Sequence, residues 1–510
     1  MFSLHIASLK LLWYNKNIVV NYILGNSTKP SHLRRNVIMD WHKNFFNDIK
    51  KNSYTREVHD GFDPLFDFLF NQLDQVLEQL ENSDNEFDKA RYNDYKSILD
   101  DWQGYEERIK KRRETHFGYP LHLSKRSFLV DFFRIFEAFD VVLNNFGDIQ
   151  DISDIEYPKD AENPRPSGNN YAMDTKSLEW DVVRLVAENF SLPPQPRLIE
   201  IKLNPEKYKD GYWGYVTSGG SESNMWGILE GFSKYPEGVL YFCEGAHYSI
   251  SKAAKGRNCQ IIPQISVDNE AIDVNVLIES IKTNWVTFKS PAILVLTFGT
   301  TKYGSTDDVQ TIKNKLRELN IPHYIHIDAA LYGGIPKNQK NAPKIGDYKE
   351  WGYDSICVSL HKYIGYPAAK GVLISVNRPN GKFIDYIGQE DNTVLGSRDV
   401  PAFSLRQQVL EVFKYTYPNM YIRNINKFYN ILNEKNVKFN LLEKDDDKGN
   451  IFVFRVNKEV ECYKEVCKRW QLSEFVGKDG LNRIHVVIFH THSYEKLELL
   501  SEDISKISVN

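Results

Sequence analysis

The chain has 510 residues, of which 42% are hydrophobic, 26% charged and 13% aromatic, and its formal net charge is −4. This composition excludes disordered, collagenous and disulfide-scaffold proteins, and the length suits two or three domains around a large core. The slightly negative charge gives no reason to expect a nucleic-acid partner. Because no stretch reaches the roughly 18 apolar residues of a transmembrane helix, we expect no membrane partner either.

Residues 1–39 contain no acidic side chain, since the first one is Asp40. A basic, acid-free start is compatible with a targeting segment, but this one is poor in arginine and its apolar block at residues 18–24 is interrupted by Asn21. We expect an unstructured leader, and an alternative is that Met39 is the true start.

A helical N-terminal extension is predicted next, over residues 40–115. Apolar side chains from Leu65 to Leu80 recur at spacings of three and four, directly after a capping Asp63 and a first-turn Pro64. A second amphipathic stretch covers residues 128–142.

After a proline-rich loop at residues 158–168 the pattern changes, because short apolar runs alternate with helical stretches. This alternation is typical of a parallel sheet covered by helices on both faces, so we predict an α/β fold with a large domain at 116–384. A smaller C-terminal α/β domain is predicted at 385–510, with strands at 451–456 and 483–489. The strands predicted in the large domain are Gly238–Phe242, Ala292–Thr297, His323–Asp328 and Ser355–Ser359, and its helices include Ser223–Tyr235 and Val309–Leu319.

A glycine-rich motif, Val-Thr-Ser-Gly-Gly-Ser-Glu-Ser-Asn at residues 216–224, precedes one of these helices. The backbone at Gly220, the hydroxyl of Ser221 and the free N–H groups of the helix N-terminus can together hold a phosphate or a carboxylate. The motif matches neither the dinucleotide-binding nor the P-loop pattern. Taken alone, it is also typical of a simple turn and helix cap.

Two further motifs follow predicted strands directly. Asp328 ends the strand of His-Ile-Asp-Ala-Ala, where parallel sheets bind ligands, although the same aspartate can cap a turn. Lys362 ends Ser-Leu-His-Lys after the next strand, either as a solvated surface residue or as a pocket lysine that forms a Schiff base. His247 stands after an earlier strand, in Ala-His-Tyr-Ser, and alone it indicates a structural hydrogen bond as readily as catalysis.

Metal binding is not expected. Cys462 and Cys467 have no matching second pair, and no third ligand lies near His490 and His492 in sequence. The five cysteines, an odd number in so long a chain, indicate reduced thiols and a cytoplasmic location.

The order and spacing of these motifs favour a functional interpretation of them over a purely structural one. His247 follows the glycine-rich motif, Asp328 follows His247, and Lys362 follows Asp328, with Phe-Gly-Thr-Thr at 298–301 in between. In this the chain resembles the group II pyridoxal-phosphate-dependent amino-acid decarboxylases, in particular the bacterial histidine decarboxylase and plant serine decarboxylase branch. The resemblance starts near residue 116 and is dense from 212 to 371.

The resemblance implies a fold-type I large domain and pyridoxal 5'-phosphate as the cofactor. Lys362 would carry the cofactor as a Schiff base, and Asp328 would pair with its pyridine nitrogen and keep it protonated. His247 and Ala330 would pack on opposite faces of the ring. The phosphate would be held by Gly220, Ser221, Ser359 and His361. Either Thr300 or Thr301 would lie beside the cofactor, and Thr301 is our choice.

The function implied is decarboxylation of a free L-amino acid, with histidine or serine favoured, by a homodimer. Asn169, Asn170 and Tyr171 are expected near the entrance of the site. Alternatives are an aldehyde-forming synthase or a carbon–carbon lyase on the same fold, or a non-catalytic relative. Two departures from the branch pattern, Leu360 before the His-Lys pair and Asp399 in Gly-Ser-Arg-Asp-Val, leave the choice of amino acid open.

Overall fold

The computed structural model describes residues 75–97, 115–118, 144–149, 175–196, 211–381, 383–385, 389–416, 418–444 and 447–509, together with Val130, Arg134 and Glu137. The chain divides into two compact units, Met1–Leu99 and Asp100–Asn510.

In the first unit, residues 75–81 and 86–97 are helical, so the end of the helix predicted up to Leu80 is present. The predicted leader, the loop at 158–168 and the entrance residues at 169–171 lie outside the described residues. None of the helices in the described part of the chain combines the length and apolar composition needed to span a bilayer.

The second unit is built on a seven-stranded sheet with strand order β1-β7-β6-β5-β4-β2-β3. Only β7 runs antiparallel to its neighbours, so the sheet is mostly parallel, as predicted. The strands are β1 (Trp213–Thr217), β2 (Val239–Cys243), β3 (Cys259–Ile262), β4 (Ala292–Thr297), β5 (His323–Asp328), β6 (Ser355–Ser359) and β7 (Gly371–Ser375).

Strands β4 and β6 are buried along their whole length, because helices cover both faces of the sheet. Three strands predicted from continuous apolar runs, now β4, β5 and β6, have the predicted bounds, and β2 is displaced by one residue. The helices around the sheet are α1 (Lys176–Asn189), α2 (Gly220–Lys234), α3 (Tyr248–Ala253), α4 (Val274–Phe288), α5 (Val309–Glu318), α6 (Tyr348–Trp351) and α7 (Ala402–Tyr415).

The C-terminal part contains a four-stranded antiparallel sheet with strand order β8-β9-β11-β10. Its strands are β8 (Asn440–Lys444), β9 (Asp447–Arg455), β10 (Ser473–Val476) and β11 (Asn482–Val487), and its helices are α8 (Met420–Glu434), α9 (Tyr463–Trp470) and α10 (Tyr494–Ile507). Residues 115–118 pack on this sheet, since the carbonyl of Phe117 accepts a hydrogen bond from the N–H of Val487. Helix α7, in contrast, packs on α1. The domain limits at 116, 384 and 385 therefore stay a prediction.

A buried ion pair connects distant segments beneath the main sheet. Glu179 on α1 is fully buried and contacts the guanidinium of Arg398 at 3.4 Å. The same carboxylate accepts hydrogen bonds from the N–H of Val216 at 2.9 Å and from the amide of Asn145 at 2.6 Å. The arginine therefore holds the 397–399 strand to β1 and α1.

We expect Arg398→Ala to lower the free energy of unfolding by about 3–5 kcal/mol, because it leaves the Glu179 carboxylate buried without its cation. Lys414→Ala is the matched control, since Lys414 on α7 forms a surface ion pair with Glu188, which lies on the same helix α1 as Glu179. Lys414→Ala should lower the free energy of unfolding by less than about 1 kcal/mol, because a surface ion pair contributes little. Urea unfolding followed by circular dichroism measures both. Equal losses in the two variants would contradict the assigned role of the buried pair.

Candidate active site

The site lies at the carboxyl edge of the main sheet, where β1, β4, β5 and β6 all end. The N–H of Ser359 donates to the carbonyl of Ala330 at 3.1 Å, and the N–H of Phe298 donates to the carbonyl of Asp328 at 2.8 Å. These bonds hold the residues that follow each strand side by side. Motifs far apart in sequence therefore meet here, as expected for a parallel sheet.

The glycine-rich turn between β1 and α2 approaches the end of β6 closely. Gly219 has a φ of +141°, which side-chain-bearing residues rarely adopt. A Cβ on Gly220 would lie 2.6 Å from the hydroxyl of Ser359 and 3.6 Å from the Ala330 methyl, and one on Gly219 would lie 3.8 Å from the His361 ring. The structure thus brings Gly220, Ala330, Ser359 and His361 together at the N-terminus of α2.

Ser221, in the first turn of α2, is exposed. The N-terminus of a fifteen-residue helix presents backbone N–H groups without intrahelical partners, and it favours an anion. An exposed hydroxyl at that position is suited to the same ligand. Both features fit a phosphate.

Asp328 is buried at the end of β5, where N–H groups satisfy its carboxylate. Oδ2 accepts a hydrogen bond from the side-chain amide of Asn224 at 2.9 Å, and Oδ1 accepts one from the N–H of Ala330 at 3.1 Å. These two donors fix the orientation of the carboxylate. The group can therefore pair with a cationic ring nitrogen.

Lys362 follows β6 in a turn that begins with a hydrogen bond from its own N–H to the carbonyl of Ser359. Burial lowers the pKa of its ammonium, and the neighbouring Asp328 and Cys357 oppose that effect. A lowered pKa increases the fraction of neutral amine, which is the nucleophilic form. Leu360, one of the two departures from the branch pattern, is fully buried in the hydrophobic core.

His247 caps the N-terminus of α3. Its Nδ1 lies 2.8 Å from the hydroxyl of Ser249 and accepts the N–H of the same residue at 3.3 Å. Burial lowers its pKa, Asp328 raises it and Lys362 lowers it further, so all three groups share one electrostatic environment. A histidine here can present the face of its ring to a ligand bound at Asp328.

Hydrogen bonding distinguishes Thr300 from Thr301, the two candidates for contact with a ligand. Thr300 is buried, and its hydroxyl accepts the N–H of Ser305 at 3.0 Å, which ties the turn together. Thr301 is only half-buried. This leaves Thr301 as the better candidate for contact with a ligand.

Sequence reasoning assigned no role to three polar residues at this edge. Asn224 lies inside the glycine-rich motif, His326 lies two residues before Asp328, and Thr297 ends β4 in register with Asp328. The strand pattern could have indicated that His326 lies on the same face of the sheet as Asp328, because side chains two residues apart on a strand share a face. No local pattern marks Asn224 as a partner of Asp328.

The two histidines considered as metal ligands lie elsewhere. His490 packs on Tyr363 with ring centroids 6.1 Å apart, and His492 packs on Phe117 at 4.2 Å. Burial lowers the pKa of His490 to about 4. Within the described residues, no group of three or more His, Cys, Asp and Glu side chains is arranged to hold a metal ion.

The arrangement fits the pyridoxal phosphate that the resemblance implies. The turn at Gly219 and Gly220 suits the phosphate, the Asp328 carboxylate suits a pyridine nitrogen, and the Lys362 amine suits an aldehyde. The hydroxyl of Thr297 is buried beside Asp328 and has no hydrogen-bond partner among the described residues. A ligand bound at this edge would satisfy it, as buried polar groups normally are satisfied.

Comparisons with known proteins agree with this fit. Residues 201–380 match the family model described as the pyridoxal-dependent decarboxylase conserved domain. The chain is 33% identical over 295 residues to a histidine decarboxylase of Acinetobacter baumannii, an alignment that covers 57% of this chain and 66% of that protein. It is 34% identical over 297 residues to serine decarboxylase 3 of Oryza sativa, covering 57% of each. The chain thus matches about two thirds or less of the length of these relatives.

Among solved structures, the fold is similar to that of L-methionine decarboxylase from Streptomyces sp. 590. The TM-score is 0.63 at 18% identity, and the alignment covers 84% of this chain and 97% of that one. The predicted fold-type I architecture is therefore confirmed.

We expect Gly220→Ala to destabilise the cofactor-free protein by about 1–3 kcal/mol, because the new methyl group overpacks against the Ser359 hydroxyl. The double variant Gly220→Ala with Ser359→Ala removes that hydroxyl and should recover most of the loss. Thermal unfolding without added cofactor measures both. Equal instability of the single and double variants would show that the two residues are not in contact.

Proposed function

We propose that this chain belongs to the group II pyridoxal-phosphate-dependent amino-acid decarboxylases, and that it removes the α-carboxylate of a free L-amino acid as CO₂ and leaves the amine. The observation that carries the proposal is the meeting of a buried carboxylate, Asp328, and a lysine of lowered pKa, Lys362, beside a glycine turn at a helix N-terminus.

Each residue would hold one part of the cofactor. The N–H groups of the α2 N-terminus, with Ser221, Ser359 and His361, would bind the phosphate. Asp328 would hold a proton at the pyridine nitrogen. His247 and Ala330 would pack on opposite faces of the ring, and Thr301 would lie at its edge.

When bound, pyridoxal phosphate supplies an aldehyde that condenses with amines and a ring that accepts the electron pair left by departing CO₂. The protein contributes orientation and electrostatics. Lys362 provides an amine whose pKa is lowered by burial at the turn after β6, and the charge on Asp328 keeps the ring electron-withdrawing. The bond from Cα to the α-carboxylate would have to stand perpendicular to the ring. Residues that fix the ring, His247 and Ala330, would therefore help to determine which bond at Cα breaks. A single proton replaces the carboxylate at Cα, which balances the reaction.

We favour a polar amino acid, histidine or serine, as the substrate. The support is the similarity to a histidine and a serine decarboxylase, over about two thirds or less of their lengths. A site that hydrogen-bonds a polar side chain rejects apolar analogues strongly, because the analogue leaves buried polar groups unpaired. The enzyme should therefore prefer one amino acid clearly.

We also propose a cytoplasmic homodimer, with domains at 116–384 and 385–510. All five cysteines are free thiols, in keeping with a reducing compartment. Tyr248, whose ring lies 4.4 Å from that of His247, has 71% of its surface exposed. A second subunit placed over this side of the site would cover an aromatic side chain, and two-fold dimers are the commonest oligomers.

The reaction is tested by incubating the protein, loaded with pyridoxal phosphate, with each of the twenty common amino acids and measuring CO₂ and amine. We expect release from one polar amino acid. Lys362→Ala should abolish both the release and the covalent adduct that borohydride traps, while the cofactor-free variant stays folded because Asp328 keeps its hydrogen bonds from Asn224 and Ala330.

Peptide mapping of the trapped wild-type protein gives the decisive control. A cofactor attached to a lysine other than Lys362 would show that the assignment is wrong. An aldehyde or a cleaved fragment in place of the amine would replace decarboxylation by a different reaction on the same fold. No product from any amino acid would reject the proposed function.

The dimer is tested by light scattering of the active, cofactor-loaded protein. We expect a mass twice that of the chain across the concentration range used for assays. Because exposed aromatic area near His247 would be covered in the dimer, Tyr248→Glu should shift the protein towards monomer. Full activity in a wild-type monomer would contradict the dimer.

A further inference from the structure

A chain of buried hydrogen bonds leads to the carboxylate of Asp328. Asn224 on α2 is 1% exposed and donates from Nδ2 to the carboxylate of Asp328 at 2.9 Å. Its Oδ1 lies 3.1 Å from Nε2 of His326, which is fully buried on β5. The amide of Asn224 thus bridges a histidine and the proposed partner of the cofactor ring.

The histidine itself is supported from its other side. Nδ1 of His326 lies 2.7 Å from the hydroxyl of Ser355 on β6, and that hydroxyl lies 2.8 Å from the hydroxyl of Tyr324. Burial lowers the pKa of His326 to about 4. The ring is therefore neutral at physiological pH, and one of its nitrogens donates while the other accepts.

Chemical complementarity sets the direction of every bond in this chain. A carboxylate only accepts, so Asn224 must present its N–H groups to Asp328 and its oxygen to His326. The proton of His326 must then be on Nε2, which leaves Nδ1 as the acceptor for the Ser355 hydroxyl. Ser355 in turn accepts from Tyr324. All donors point towards Asp328.

Helix α2 packs so closely against the imidazole of His326 that the ring is held in one position. A Cβ on Gly227 would lie 2.3 Å from Nδ1 of His326, so the helix backbone lies directly against the ring. Gly227 is one helical turn after Asn224, and both contact the same histidine. The ring can therefore neither rotate nor shift without displacing the helix that carries Asn224.

The same amide is also linked to a second candidate catalytic residue, His247. A hydrogen bond from Nδ2 of Asn224 joins it to the hydroxyl of Ser249 at 3.2 Å, and that hydroxyl lies 2.8 Å from Nδ1 of His247. Since Ser249 accepts from Asn224, its own proton is free to point at His247. One buried amide therefore orients both Asp328 and His247.

We propose that His326 is a positioning residue that, through Asn224, aims the Asp328 carboxylate at the ring nitrogen of the cofactor and keeps that nitrogen protonated. This inference rests on the proposed function, because it takes the cofactor to be pyridoxal phosphate. It adds a role for a residue that contacts neither cofactor nor substrate. Its physical basis is that a carboxylate that loses a buried donor is less stable as an anion and less well oriented.

The test compares four single variants and one double variant, loaded with pyridoxal phosphate that is ¹⁵N-labelled at the ring nitrogen. His326→Phe removes both polar atoms of the ring, whereas His326→Gln keeps a donor near Nε2. Asp328→Asn removes the carboxylate itself. His485→Phe is the matched control, because His485 is also buried and neutral, with its Nε2 2.7 Å from the carbonyl of Gly118 in the C-terminal part.

In wild type and in the His485→Phe control, we expect the ¹⁵N shift to report a protonated ring nitrogen. In His326→Phe the nitrogen should lose its proton at lower pH, and in His326→Gln it should recover most of the wild-type behaviour. For the substrate found in the screen, His326→Phe should lower kcat roughly tenfold to a hundredfold, the size of effect typical of outer hydrogen-bond partners, with KM unchanged.

Adding His326→Phe to Asp328→Asn should lower kcat no further, because the two residues act through one group. If the ¹⁵N shift in His326→Phe titrates as it does in wild type, the positioning role is overturned. It is also overturned if the losses of kcat caused by His326→Phe and Asp328→Asn add fully in the double variant. If the protein binds the cofactor and the titrations differ as expected but no amino acid is decarboxylated, the proposed function fails and the positioning role stands. A protein that binds no pyridoxal phosphate would overturn both.

Discussion

The candidate site depends on a carboxylate, Asp328, that is buried at the end of β5. The polar groups around it stabilise it there by donating hydrogen bonds to its oxygens. A charge in the interior is tolerated only with donors directed at it. Here an amide on α2 and the N–H of Ala330 supply them, and the lysine of the neighbouring turn adds a countercharge. The bonds from Asn224 to His326 and Ser249 follow, because the amide must itself be held in one orientation.

Helix α2 makes this possible because it carries glycines where it touches the sheet. Cβ atoms at Gly220, Gly227 and Gly231 would lie 2.6 Å from Ser359, 2.3 Å from His326 and 2.6 Å from Ile293. The helix therefore lies closer to the strands than side chains of ordinary size would allow. This short distance lets a side chain as short as asparagine reach from the helix to the carboxylate.

The two departures from the branch pattern have different structural settings. Leu360 is fully buried among core side chains, so it contributes packing under the turn of Lys362. Asp399 accepts a hydrogen bond from the ammonium of the buried Lys370 through its carbonyl at 2.5 Å, and its carboxylate lies 3.3 Å from the same group. Since the carbonyl of Lys370 contacts Nδ1 of His361 at 3.2 Å, Asp399 is linked to the candidate phosphate residues.

Local pattern was enough to predict the α/β class, three central strands with their bounds and the residue types at the strand ends, because burial on both faces demands continuous apolar runs. The motif order then indicated the cofactor through resemblance. The network around Asp328 could not be predicted, because Asn224, Ser249, His326 and Ser355 come from four separate segments. Their hydrogen bonds depend on how closely α2 approaches the sheet. That distance is decided by tertiary packing at Gly227, since nothing in the local sequence shows which ring will occupy the space its missing side chain leaves.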